Sequence, residues 1–142
     1  MRMGKAEITK PQILESAKEE FLEKGYQEAS LRKIVKKIGL TTGAFYGYYR
    51  SKEAIFDVLV KSTAESFVIW YYQACCECEE RRREVGREPF KDYQRDLLFQ
   101  MIEYIYKDIE NFRLLFCCSQ GSGYERYMDK LVEIQAYFLL KL

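Results

Sequence analysis

A chain of 142 residues has room for one domain or two very small ones, and 48% hydrophobic with 32% charged residues is an ordinary globular balance. No histidine occurs, which excludes chemistry resting on an imidazole base and any zinc site that needs a His ligand. The 23 Lys+Arg against 22 Asp+Glu leave a net +1, which alone points neither to a polyanionic partner nor to an acidic tail.

The apolar periodicity is helical throughout, with no convincing period-2 segment, so an all-α fold is expected. The first helix opens at Thr9-Lys10-Pro11-Gln12. Thr9 is placed to cap, Pro11 suits a first turn, and Gln12 completes a capping box. Ile13, Leu14, Ala17, Phe21 and Leu22 form its apolar stripe, and Gly25 is placed to stop it at positive φ. A short second helix starts at Ser30, turns Leu31, Ile34, Val35 and Ile38 inward, and ends at Gly39. Thr41 caps a third helix running through about Tyr48, and Ser51 caps a fourth.

The fourth helix is long, with Ile55, Phe56, Leu59, Val60, Thr63, Phe67, Trp70, Tyr71, Ala74 and Cys78 recurring at threes and fours. Glu79 to Gly86, ending near Pro89, reads as a frayed end and loop that breaks head from body. A fifth helix is expected from about Phe90 to Tyr106 and a sixth from Ile109 to Ser119. Gly121-Ser122-Gly123 makes a turn, and a seventh helix runs from Tyr124 onward.

The near-zero net charge conceals a split. Residues 1–52 carry 11 Lys/Arg and 6 Asp/Glu, residues 53–142 carry 12 and 16, so a +5 head is joined to a −4 body. Between residues 29 and 52, Arg32, Lys33, Lys36, Lys37, Arg50 and Lys52 face no acid at all, the asymmetry expected of a head with a polyanionic partner. The division is therefore drawn between a basic head over 1–52 and an acidic helical body over 53–142. No signal peptide and no membrane-spanning stretch of about 18 apolar residues is visible. The five cysteines, Cys75, Cys76, Cys78, Cys117 and Cys118, do not form a disulfide framework, so a reducing cytoplasm is expected.

Gly39-Leu40-Thr41 between two amphipathic helices is helix-turn-helix grammar. The glycine supplies the turn, Leu40 plugs the interhelical angle, and Thr41 starts the helix whose first residues enter a major groove. Small residues there, Thr42, Gly43 and Ala44, let backbone approach base edges. The run from Ser30-Leu31-Arg32-Lys33-Ile34-Val35 through Gly39-Leu40-Thr41-Thr42-Gly43-Ala44-Phe45-Tyr46-Gly47-Tyr48-Tyr49-Arg50-Ser51-Lys52-Glu53-Ala54-Ile55-Phe56 resembles the TetR family of bacterial transcriptional regulators. Tyr49 stands where Phe is commoner, and the likeness covers residues 8–60.

The resemblance implies a repressor, not an enzyme, that binds a palindromic double-stranded DNA operator as a homodimer and is released by a small-molecule effector. Ser30 and Lys52 would hold phosphates, Arg32 would lie over the groove, and Thr41 and Thr42 would meet DNA at the helix start. Gly43 and Ala44 would allow close approach. Tyr46 would pack on the sugar-phosphate backbone, Gly47 would leave readout poorer, and Tyr48 would touch phosphate or a thymine methyl. Phe45 and Tyr49 would belong to the core. The aromatics Phe67, Trp70, Tyr71, Phe99, Tyr106 and Phe116 would supply an apolar or aromatic effector pocket, with Glu65, Glu103 and Glu110 available to balance a cation. No cofactor and no metal is expected.

Three other readings stay open: a helix-turn-helix module without an effector, a thiol- or metal-sensing repressor built on Cys75 and Cys78, and a helical carrier or enzyme. The last lacks any nucleophile paired with a base. Relatives of about two hundred residues would dimerise through two further helices. The apolar run Ala136-Tyr137-Phe138-Leu139-Leu140-Lys141-Leu142 therefore suggests a body lacking its last helices.

Overall fold

The computed structural model describes residues 5–140, with side chains from Lys10 onward, as seven helices. In chain order these are α1 (Lys5–Glu28), α2 (Leu31–Lys37), α3 (Thr42–Phe45), α4 (Lys52–Glu84), α5 (Arg87–Tyr106), α6 (Ile109–Cys117) and α7 (Tyr127–Leu140). Helix α1 is already helical four residues before Thr9, so the expected start there is corrected and Pro11 lies inside the helix. The Thr9 side chain lies outside the described residues. Gly25 does interrupt α1, at φ 77°, a conformation that side-chain-bearing residues rarely adopt.

The long fourth helix is longer than its apolar pattern implies. Glu79 to Glu84 is helical, and only Val85 and Gly86 separate α4 from α5. Glu and Arg are good helix formers, Arg83 bonds Glu79 one turn earlier at 2.5 Å, and the Arg81 guanidinium lies 5.8 Å from the Tyr93 ring of α5. A charged run that looks like a loop is thus a solvated helix end. Pro89 sits in the first turn of α5, where its missing N–H costs nothing.

One apolar core runs through head and body. Ile13, Ala17 and Phe21 of α1 meet Ile34 and Val35 of α2, Phe45 of α3 and Ile55 and Phe56 of α4. The same cluster continues through Val60, Ala64 and Phe67 to Phe112, Leu114 and Leu115 of α6 and Tyr127 and Leu131 of α7. Helix α1 packs on α2, α4 and α6, so the head is seated directly against the body. Helix α5 has no buried residue and leans on α4 and α6 through half-buried Met101, Tyr104 and Ile105.

Candidate nucleic-acid interface and body cavities

The α2–α3 corner is built by backbone geometry. Gly39 takes φ 70°, its N–H and that of Leu40 donate to the carbonyls of Lys36 and Val35 at 3.1 and 2.9 Å, and Leu40 tucks against the core. Thr41 has extended backbone, and its Oγ1 accepts the Ala44 N–H at 3.1 Å, an N-cap that fixes where α3 begins. Phe45 is fully buried, with its ring 5.5 Å from Tyr46 and 5.9 Å from Tyr49. Helix α3 is thereby clamped by one inward side chain while Thr41, Gly43, Ala44, Tyr46 and Gly47 remain exposed.

Regular α-helix ends at Phe45, earlier than the expected Tyr48. The next turn tightens, with Gly47 N–H to the Ala44 carbonyl at 3.1 Å and Tyr48 N–H to Phe45 at 2.9 Å. Thr42 and Tyr48 are half-buried at the margins of this surface. Added carbon at Gly43 would meet nothing within 4 Å, whereas at Gly47 it would lie 3.2 Å from the Ala44 carbonyl. The first glycine leaves outward space and the second relieves the tight turn.

Arg32, Lys33 and Lys36 flank this surface on the exposed side of α2. Arg32 makes no ion pair among the described residues, while Lys37 is paired with Glu19. Ser30 occupies the N-cap position of α2, yet its hydroxyl makes no capping bond; its N–H donates to Glu20 Oε1 at 3.1 Å. The Lys52 ammonium donates to the carbonyls of Gln27 and Ala29 at 3.1 and 3.3 Å and sits 4.6 Å from the Tyr26 ring centroid. Lys52 therefore clasps the end of α1 to the start of α4, with one N–H left for any outside group.

Residues 13–59 match the family described as "Bacterial regulatory proteins, tetR family". The head is therefore of the TetR type. Its head is similar to the uncharacterized HTH-type transcriptional regulator YdgC of Bacillus subtilis, 42% identical over 52 residues, which are 37% of this chain and 27% of that protein. It is also similar to the HTH-type transcriptional repressor Rv1474c of Mycobacterium tuberculosis, 37% identical over 54 residues, 38% of this chain and 29% of that protein. A solved structure described as a transcriptional regulator (TerR/AcrR family) from Aquifex aeolicus VF5 is 27% identical, with a TM-score of 0.47, over 94% of this chain and 72% of that one. The likeness to the curated relatives spans under a third of their length. The TetR family is one of helix-turn-helix regulators rather than enzymes. No described helix is long and apolar enough to cross a membrane.

The TetR-family head is tied to the body by contacts that no local pattern in the sequence announces. The Tyr26 N–H donates to the Cys118 carbonyl at 2.8 Å, Lys18 pairs with Glu110 at 3.2 Å, and Gly123 N–H donates to Glu53 Oε1 at 2.8 Å. Tyr124 donates its hydroxyl to Asp57 at 2.5 Å. Burial, and then its bond to Glu53, push the Tyr26 hydroxyl up to about 12; burial and Asp57 also raise Tyr124.

Two of the clefts in the body are walled by aromatics expected to line a pocket. One, about 340 Å³, lies between α4, α5 and α7 and includes Trp70, Tyr71, Cys75, Cys78, Phe90 and Phe138. The other, about 380 Å³, reaches toward α6 and includes Phe67, Tyr71, Phe116 and Leu131. Of the six aromatics expected to line a pocket, Phe67, Trp70, Tyr71 and Phe116 do face these clefts. Phe99 and Tyr106 do not, being 59% and 70% exposed. One heptad apart, they share the face of α5 opposite Met101 and Ile105. Glu65 and Glu103 are exposed, and Glu110 is taken by Lys18. Among the described residues no group of three or more His, Cys, Asp or Glu is arranged to hold a metal ion.

Proposed function

We propose that this chain is an operator-binding repressor, working as a homodimer on palindromic double-stranded DNA and released by an apolar or aromatic effector held in the body clefts. The observation that carries this reading is the exposed edge Thr41–Gly47, locked in place by the Thr41 cap and the buried Phe45, beside an Arg32 that makes no ion pair among the described residues. Residues 1–52 would read DNA and residues 53–142 would hold effector and partner subunit. Arg32 reaches a base edge or phosphate, Thr41 and Thr42 offer hydroxyls, Gly43 and Ala44 permit backbone approach, and Tyr46, Gly47 and Tyr48 lie along the sugar-phosphate. Ser30 and the remaining Lys52 N–H supply phosphate contacts at the edge.

Coupling follows from α4. At 33 residues it is about 50 Å long and joins the Ser51 cap under the head to Trp70 and Tyr71 in the cleft wall. An effector that favours one tilt of α4 changes the separation of two heads that must sit about 34–36 Å apart on successive major grooves. The linkage is reciprocal: the effector must bind the released state better than the DNA-bound one.

The test is fluorescence anisotropy with a palindromic duplex recovered by selection from a random pool. Affinity should fall steeply with salt and drop at least about tenfold in Arg32→Ala with the fold intact. Equal binding to any duplex, or to none, would sink the operator reading. Sedimentation at micromolar concentration tests the dimer, and a monomer that still binds a full palindrome with dimer-like affinity argues against it.

A further inference from the structure

Cys75 and Cys78 stand one turn apart on α4, and both border the 340 Å³ cleft, alongside Trp70, Tyr71, Phe90 and Phe138. Cys76 does not line the cleft, nor do Cys117 and Cys118 at the end of α6 and just past it. Two other polar groups of the cleft are engaged, while Arg82 and Gln94 also line it. Glu79 is held by Arg83 at 2.5 Å, and Gln135 Oε1 accepts from the Tyr71 hydroxyl at 2.8 Å and from Cys75 Sγ at 3.7 Å.

This chemistry is selective. Two sulfurs with no third donor are a poor cage for zinc, which takes four ligands. They suit a soft centre with two exchangeable valences whose third bond is to carbon, because aromatic walls then cover the organic part. We propose that the cleft is a binding site for monosubstituted trivalent arsenicals, bridged by Cys75 and Cys78. For an arsonous acid, two As–O bonds break and two As–S bonds form; each thiol proton leaves with a hydroxide as water, and arsenic and sulfur keep their oxidation states.

Burial pushes Cys75 up to about 11 and raises Cys78, so both are thiols at neutral pH. Oxidants and alkylating agents need thiolate and are disfavoured here. The exchange above starts from thiols and releases only water.

The binding claim stands alone, while a regulatory consequence rests on the repressor reading. The full chain is titrated with phenylarsine oxide, following the fluorescence of Trp70, the sole tryptophan. Expected are a one-to-one adduct by intact mass, two thiols lost from the α4 peptide on mapping, quenched Trp70 emission, and reversal by a small dithiol but not by a monothiol. Cys75→Ser and Cys78→Ser should each weaken binding at least about tenfold, which is about 1.4 kcal/mol, while Cys76→Ser and Cys117→Ser bind as the parent. An adduct mapping to Cys117 and Cys118, or full affinity in both single α4 variants, overturns the proposal. Mapping on the unaltered chain decides the matter even if a variant fails to fold. Release from operator DNA is measured separately, so a failed repressor reading leaves the mass and fluorescence results standing.

Discussion

The Glu53 carboxylate, in the first turn of α4, accepts the Gly123 N–H at 2.8 Å across 70 residues of sequence. Glu53 follows the Ser51 cap and the Lys52 clasp directly, so the segment that sets the entry of α4 also anchors the loop between α6 and α7. A Cβ at residue 123 would lie 2.9 Å from that carboxylate oxygen. Gly123→Ala should turn the Glu53 side chain away and cost about 1 kcal/mol, lowering Tm by about 2–4 °C. Glu53→Ala should cost a similar amount, and the double variant should cost little more than either alone. Fully additive losses in thermal melts would show that the two groups do not act through this bond.

Alkaline pH should loosen the same junction. Tyr26 stacks on Phe21 and meets Phe56 edge to face, ring centroids 5.9 and 5.1 Å away, and its hydroxyl is raised to about 12 by burial and by Glu53. An unfolded tyrosine ionises near pH 10. Between about pH 10 and 12 the folded chain retains a proton that the unfolded chain releases, so stability is full below pH 10 and falls as pH rises through this window. Tyr124 and Tyr127, also raised by burial, act in the same direction. Tm measured against pH should therefore drop above pH 10, and Tyr26→Phe should be less stable at neutral pH yet show a shallower alkaline fall. An unchanged alkaline slope in that variant would remove Tyr26 from the account.

Phe67 and Phe99 look interchangeable as aromatics on amphipathic helices, and they should respond in opposite ways. Phe67 is buried within ring distance of Trp70, Tyr71, Tyr104, Phe112 and Phe116, the nearest centroid at 5.0 Å. Phe67→Ala should cost about 3–5 kcal/mol, a large part of a small domain's stability. Phe99→Ala removes an exposed ring and should stay within about 0.5 kcal/mol. Denaturant midpoints on both variants decide this, and a large loss at Phe99 would mean that α5 packs differently.

That contrast marks what could be read from the sequence. Local chemistry was enough for Gly25 and Gly39 at positive φ and for the Thr41 and Ser51 caps, because each is set by backbone geometry within a few residues. It was enough for the exposed edge of α3 as well, since Phe45 alone among its neighbours points inward. It misreads Glu79–Glu84, where charge imitates a loop, although the Glu79–Arg83 pair at helical spacing joins the last turns. Aromatic character alone assigns Phe99 to the pocket, although helical spacing sets it on the face of α5 away from Met101. Local chemistry could not find the Glu53–Gly123 and Asp57–Tyr124 bonds, whose partners meet only after the body folds back on the head.

Gly43 separates a DNA-facing role from a folding role with one methyl group. It lies within α3, its φ is not positive, and an added Cβ meets nothing within 4 Å. Glycine in a helix is less favourable than alanine by about 1 kcal/mol, so Gly43→Ala should leave the fold intact and raise stability by up to that amount. If the proposed operator surface is right, the same methyl sits between α3 and the bases, and affinity for the selected palindrome should fall several-fold while non-specific, salt-driven binding changes little. Larger residues such as Val should extend the loss in affinity without unfolding the head. Melting curves and anisotropy on the same preparations read the two effects independently. Higher stability with unchanged operator affinity would place the DNA on some other face of the head.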